Sequence, residues 1–195
     1  SVVYLYYQQP RDSVLEKKVH DFLEVPESGY YSVKSFYAKY GVTLNFIYHS
    51  YVETVFAEGT ANCDERSTGR SDCMVVTWAA QTDDIQSIYS STTFFIFVIR
   101  TDQYTDTNAG AWVVLDTMVL YDGTILATGG SQFVLAHEIG HLFGGVEHYL
   151  DPPRSFPPPD DDNCVMNRGG DGSGTLNLNS NFGSTDLDGI IHFGW

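Results

Sequence analysis

The sequence predicts an α/β fold: a twisted mixed sheet with helices in a larger N-terminal lobe, followed by a small irregular C-terminal lobe. Three observations carry this. Runs of β-branched and aromatic residues alternate with segments of helical period, the pattern of a layered α/β domain. One of those runs, Phe94 to Ile99, is apolar at nearly every position, as a strand buried on both faces of a parallel sheet must be. After His148 the composition turns to Pro, Gly, Asn and Ser, and regular periodicity stops. The expected organisation is one domain over 1–195, with lobes of about 1–144 and 145–195.

Val2 to Tyr7 is rich in Val and Tyr and reads as the first strand. Pro10 and Asp12 open a helical segment whose stripe is Val14, Leu15, Val19, Phe22 and Leu23. Pro26 and Gly29 interrupt it. Tyr30 to Tyr40 continues as helix with Val33, Phe36, Tyr37 and Tyr40 on one face, and Gly41 takes the C′ position. Val42 to Tyr51 alternates, with Val42, Leu44, Phe46 and Tyr48 on one side, and reads as a strand. A further short strand is expected at Cys73 to Trp78, and a helix at Asp83 to Tyr89 with Thr82 as N-cap. Strands follow at Phe94 to Arg100, Ala111 to Leu115 and Thr117 to Tyr121. Gly129-Gly130 leads into a helix containing His137, and a short helix after Ser184 closes the chain.

Composition narrows the function classes. With 43% hydrophobic and 14% aromatic residues the chain can build a real core. Its 10 Lys+Arg against 25 Asp+Glu give a net charge of −15, which argues against nucleic acid and anionic membrane surfaces as partners. No apolar run reaches the ~20 residues of a membrane span. A monomer is expected. The chain opens at Ser1 without a signal-like segment, so a processed mature form or trimmed domain is expected. Cys63 and Cys73 bracket a short polar loop, and a disulfide between them is expected against the alternative of two free thiols. That bridge would imply an oxidising compartment and a secreted protein. Cys164 is left over. There is no Asn-x-Ser/Thr acceptor.

The chemistry concentrates in His137-Glu138-Ile139-Gly140-His141. One turn apart on a helix, the two histidines point the same way and can share one Zn²⁺. Glu138, beside the first, is placed to act as general base on a water at the metal. H-E-x-x-H alone has three fixed positions and arises by chance, so its apolar helical setting and the residues downstream matter. A catalytic zinc takes three protein ligands, and two candidates compete for the third. Both follow Gly144: Glu147, whose carboxylate can serve as a zinc ligand, and His148, one residue later. His148 is favoured, because three neutral imidazoles leave the metal a stronger Lewis acid.

The stretch to Gly144 resembles the metzincin zinc proteases, whose motif is H-E-x-x-H-x-x-G-x-x-H. Set against that motif, Glu147 takes the place of the third His, and His148 matches it if Gly145 is an inserted residue, which a Gly pair absorbs without strain. Cys164-Val165-Met166 is similar to the Cys-Ile-Met of the adamalysin/reprolysin branch. The resemblance implies a Met-turn in which Met166 forms an apolar floor without binding metal. Astacin- and serralysin-type members carry a Tyr two residues after this Met, where this chain has Arg168. The resemblance further implies one catalytic zinc and cleavage of protein or peptide substrates. It makes Gly110 to Leu115 an edge strand on which an extended peptide could pair antiparallel, through Gly110, Ala111, Trp112 and Val113. Simple sheet filling is the bland alternative for that strand. An inhibitory pro-segment, if there is one, lies outside this chain.

The expectation is therefore a secreted zinc endopeptidase. Its rival is a binding module or toxin of the same fold that keeps zinc without turnover. Asp160-Asp161-Asp162-Asn163 could offer oxygens to Ca²⁺, but it lacks EF-hand spacing and reads first as a solvated acidic loop. His20, His49 and His192 read as surface or core residues.

Overall fold

Alternation along the first strand sets the core. In β1 (Val2–Tyr7), Val3, Leu5 and Tyr7 enter one buried cluster, while Tyr4 and Tyr6 face the opposite side of the sheet. The computed structural model describes residues 1–7, 11–49, 87–88, 90, 93–99, 110–112, 117–121, 131–143, 165–166, 176, 178–180 and 182. Its other elements are α1 (Ser13–Glu24), α2 (Val33–Ala38), β2 (Asn45–Tyr48), β3 (Thr93–Ile99), β4 (Gly110–Trp112), β5 (Thr117–Tyr121) and α3 (Ser131–Leu142).

The five strands form one sheet in the order β2-β1-β3-β5-β4. The first four are mutually parallel and β4 pairs antiparallel with β5, so the sheet is mixed, as expected. β3 lies in the middle. Its register places Leu5, Ile96 and Met118 in one row and Tyr7, Val98 and Leu120 in the next, all buried. On the other face Tyr4 stacks on Phe95 and Tyr6 on Phe97, and both phenylalanines are also buried. Burial on both faces explains the continuous apolar run.

α1 starts where its sequence says it should. The Asp12 carboxylate accepts from the Val14 and Leu15 N–H groups at 2.9 and 3.1 Å, satisfying two of the helix's orphan donors. Leu15, Val19 and Leu23 bury one face, whereas Val14, expected in the stripe, stays 68% exposed. It lies about 100° round the helix from Leu15, outside the contact. Val25 is extended ahead of Pro26, which ends the helix.

α2 is capped by Ser32, whose hydroxyl accepts from Ser35 N–H. It closes at Gly41 with φ +79°. Gly41 N–H donates to Ala38 C=O and Val42 N–H to Tyr37 C=O, the paired bonds of a Schellman closure. α1, α2 and α3 all contribute to the cluster formed by the inward residues of β1, β3 and β5.

The expected β2 boundaries shrink from Val42–Tyr51 to Asn45–Tyr48. The strand is at the sheet edge, and Ile47 and Tyr48 are exposed there. The expected elements at Cys73 to Trp78 and after Ser184 lie outside the described residues, as does all but a short piece of the Asp83 to Tyr89 helix.

The Cys63–Cys73 disulfide is corrected. No pair of cysteines stands at disulfide distance among the described residues, which include none of the three. A short polar loop between two cysteines does not of itself bring their Cα atoms to the roughly 4.4–6.8 Å a bridge requires. The inference of an oxidising compartment loses its support with it. Among the described residues, no helix is long and apolar enough to cross a membrane.

Candidate metal centre

α3 is apolar around most of its circumference, as a helix enclosed by other elements must be. Phe133, Leu135, Ala136, Ile139 and Leu142 are buried on it. Its last turn tightens: Phe143 N–H is shared between the Ile139 and Gly140 carbonyls at 3.2 and 3.1 Å. A hydrogen bond from α2 fixes the middle of the helix. The fully buried Tyr37 hydroxyl donates to Ala136 C=O at 2.8 Å. Burial pushes the Tyr37 phenol well above its ordinary pKa, so it remains a donor.

His137 is buried and His141 partly so. Their Nε2 atoms approach to 3.1 Å, with ring centroids 4.6 Å apart and planes at 87°. The Nδ1 of His137 is 2.7 Å from Val165 C=O. A carbonyl can only accept, so Nδ1 carries the proton and Nε2 of the neutral ring presents its lone pair. Partners of this kind, a carbonyl behind an imidazole, fix tautomer and orientation in metal sites. Two nitrogens each about 2.05 Å from one tetrahedral zinc would lie about 3.3 Å apart. The observed 3.1 Å fits a shared ion with little movement.

Below the pair lies a turn at Val165 and Met166, both fully buried. Met166 reaches α3 at Gly140: a Cβ on that residue would stand 2.5 Å from Met166 Sδ. The missing side chain at Gly140 is what admits the sulfur. Phe182 closes the same contact, and its ring packs against Phe36, Tyr37 and Tyr40.

The structure thus brings together His137, His141 and Met166, and it carries Glu138, half-buried, on the same helical turn. It also places Gly110–Trp112 at the edge of the sheet. Val113, both candidate third ligands Glu147 and His148, Cys164, the Asp160 to Asn163 run and His192 lie outside the described residues. Among the described residues no third His, Cys, Asp or Glu joins the pair. His20 is half-exposed beside Asp21, and His49 is exposed and stacks on Tyr4 and Tyr6.

Three contributors were not singled out from the sequence: Gly140, Tyr37 and the Val165 carbonyl. Only Gly140 left a signal. A glycine inside an apolar helix costs about 1 kcal/mol relative to Ala and marks a close approach.

No protein-family model and no curated protein sequence matches the chain. Among solved structures it is similar to a zinc-dependent peptidase from Methanocorpusculum labreanum (strain Z). That match has 13% identity, covers 96% of this chain and 99% of that one, and has a TM-score of 0.49. A likeness at that level decides neither family nor activity.

Proposed function

We propose that the chain is a zinc-dependent endopeptidase of metzincin type. The observation that carries the reading is the convergence of the His137 and His141 Nε2 atoms, with His137 held in the metal-binding tautomer by Val165 C=O. His137 and His141 would hold the ion with a third ligand after the helix, His148 in preference to Glu147. Zinc bound there would supply a Lewis acid for the scissile carbonyl and the attacking water. The Glu138 carboxylate takes the proton of that water and delivers it to the leaving amine, a role worth about 10²–10⁴-fold. Met166 supports the ligand-bearing turn from below through Gly140. The strand at Gly110–Trp112, outermost in the sheet among the described residues, would pair with an extended peptide.

The test is metal analysis of the purified full chain together with cleavage of denatured protein substrates. One zinc per chain, loss of cleavage on chelation, and a Glu138→Ala variant that retains zinc but not cleavage are the expected results. Undiminished cleavage by Glu138→Ala would sink the mechanism. Bound zinc with no cleavage of any substrate would leave a binding module.

A further inference from the structure

His137 is held at both ends by groups outside its own helix. The carbonyl of Ala136 and the N–H of His137 belong to one planar peptide group. Tyr37 Oη donates to that carbonyl at 2.8 Å. A helical carbonyl takes one N–H from four residues on and keeps a second lone pair, which is what the phenol uses. At the far end of the residue, the ring Nδ1 donates to Val165 C=O at 2.7 Å. The two anchors come from opposite ends of the sequence, and the residue between them is buried.

The place of the phenol is itself fixed. Tyr37 is fully buried. Its ring meets Phe36 edge-on at 5.7 Å and packs against Phe182 at 5.5 Å. It also packs against Phe143, with centroids 5.5 Å apart, and Phe143 follows Ala136 by about two turns. Tyr37 therefore grips the α3 chain at two points, one before the first histidine and one just after the second. Such a grip opposes both rotation of the helix about its axis and sliding along it. Side-chain tips ride about 5–6 Å from a helix axis, so a rotation of about 20° would sweep them about 2 Å, a whole Zn–N bond length. Both histidines share the helix and would swing together. Their separation would survive, but the bond to Val165 C=O and the aim of both rings at a third ligand would not.

We propose that Tyr37 is a positioning residue for the histidine pair: through the Ala136–His137 peptide its hydroxyl sets the rotation of α3 at which His137 meets Val165 C=O and both rings aim at one ion. This role rests on the zinc reading of the same centre. Tyr37 acts through His137 and needs no contact with metal or substrate. A hydroxyl that only held the fold together would lower stability and leave the metal affinity of the folded chain unchanged.

Titration of the full chain with Co²⁺, followed by its visible ligand-field absorption, separates the two roles. It is run where circular dichroism shows every variant fully folded. Tyr37→Phe keeps the ring contacts and removes the donor. Its Co²⁺ affinity should fall by about three- to tenfold, and its visible band should weaken as the ligands lose their alignment. Asp12→Ala removes a cap whose bonds lie within α1 and should bind Co²⁺ like the parent, with the parent's spectrum. If Tyr37→Phe does not fold in buffer alone, all three chains are titrated in trimethylamine N-oxide, which favours the folded state. Parent affinity and spectrum in Tyr37→Phe overturn the positioning role and leave the zinc reading standing. An equal loss in Asp12→Ala also overturns it, because the effect then follows stability alone. A parent chain that takes up no Co²⁺ refutes the zinc reading and this role with it.

Discussion

Gly140→Ala tests the geometry beneath the candidate centre. The added methyl would stand 2.5 Å from Met166 Sδ, 3.4 Å from its Cε and 3.5 Å from Phe182 Cε1. An ordinary contact needs about 3.5–4.0 Å, so the sulfur has to retreat by about 1 Å. Met166 is fully buried, and the retreat takes place inside a packed core, where such overpacking costs about 1–3 kcal/mol. Helix propensity returns about 1 kcal/mol for Ala over Gly. The net expectation is destabilisation by about 1 kcal/mol, read as a lower urea midpoint at unchanged slope. Val165 moves with its neighbour, and its carbonyl holds His137, so under the proposed function zinc affinity should fall by about 10–100-fold, as for other outer partners of metal ligands. Met166→Ala supplies the control. Alone it costs about 2–5 kcal/mol, but in that background Gly140→Ala should turn stabilising. A single Gly140→Ala variant that gained the full propensity increment and bound zinc like the parent would refute the close approach.

Three further outcomes follow from named contacts. Asp12→Ala removes the acceptor for Val14 and Leu15 N–H and should cost about 1 kcal/mol in thermal or urea unfolding. Tyr37→Phe keeps the aromatic packing but loses the bond to Ala136 C=O, for about 0.5–1.5 kcal/mol. Glu24 gives a pH dependence. Burial opposes its ionisation, but the bonds from Lys34 and Tyr48 prevail and hold its carboxyl below the ordinary 4.5. The unfolded chain therefore takes up this proton first, and stability present above that value is lost as pH falls through the lower folded one. Glu24→Gln should flatten that limb of the stability–pH profile; an unchanged acid limb would show that the triad contributes nothing.

What could be read in advance depended on whether the signal lay in side-chain pattern. The opening of α1 at Asp12, its stripe apart from the exposed Val14, and the Gly41 closure are local and periodic, and the structure has them. The unbroken apolar run of β3 indicated a central parallel strand, and it is one. β2 is shorter than its alternation suggests: Val42 and Leu44 keep the pattern and pack on the core, but the pairing with β1 starts at Asn45. The histidine pair was legible because helical geometry alone aligns residues four apart. The Val165 carbonyl was not, since any residue type presents the same backbone acceptor. Gly140 stood in a variable position of H-E-x-x-H, where its function is the absence of atoms. Tyr37 read as one more member of an apolar face, and nothing in that periodicity marks a hydroxyl bound for a helix a hundred residues away.

α2 explains how the centre can be firm although the chain after α3 is poor in regular pattern. Its six residues are too few to be helical alone, so it is held by what it touches. On one side Tyr37 bonds Ala136 on α3. On the other, Lys39 Nζ donates to Ser180 C=O, Tyr40 hydroxyl accepts from Phe182 N–H, and Tyr31 N–H donates to Leu176 C=O. Phe182 in turn lies against Gly140 beside Met166. Leu176, Ser180 and Phe182 are thus located with the histidine helix by a common third body. Their relation does not depend on the course of the sequence between them. An all-apolar cluster would tolerate sliding at this junction, whereas one directed hydrogen bond from α2 and three from the residues flanking it fix its register. Met166 meets Gly140 at this junction, beside Phe182.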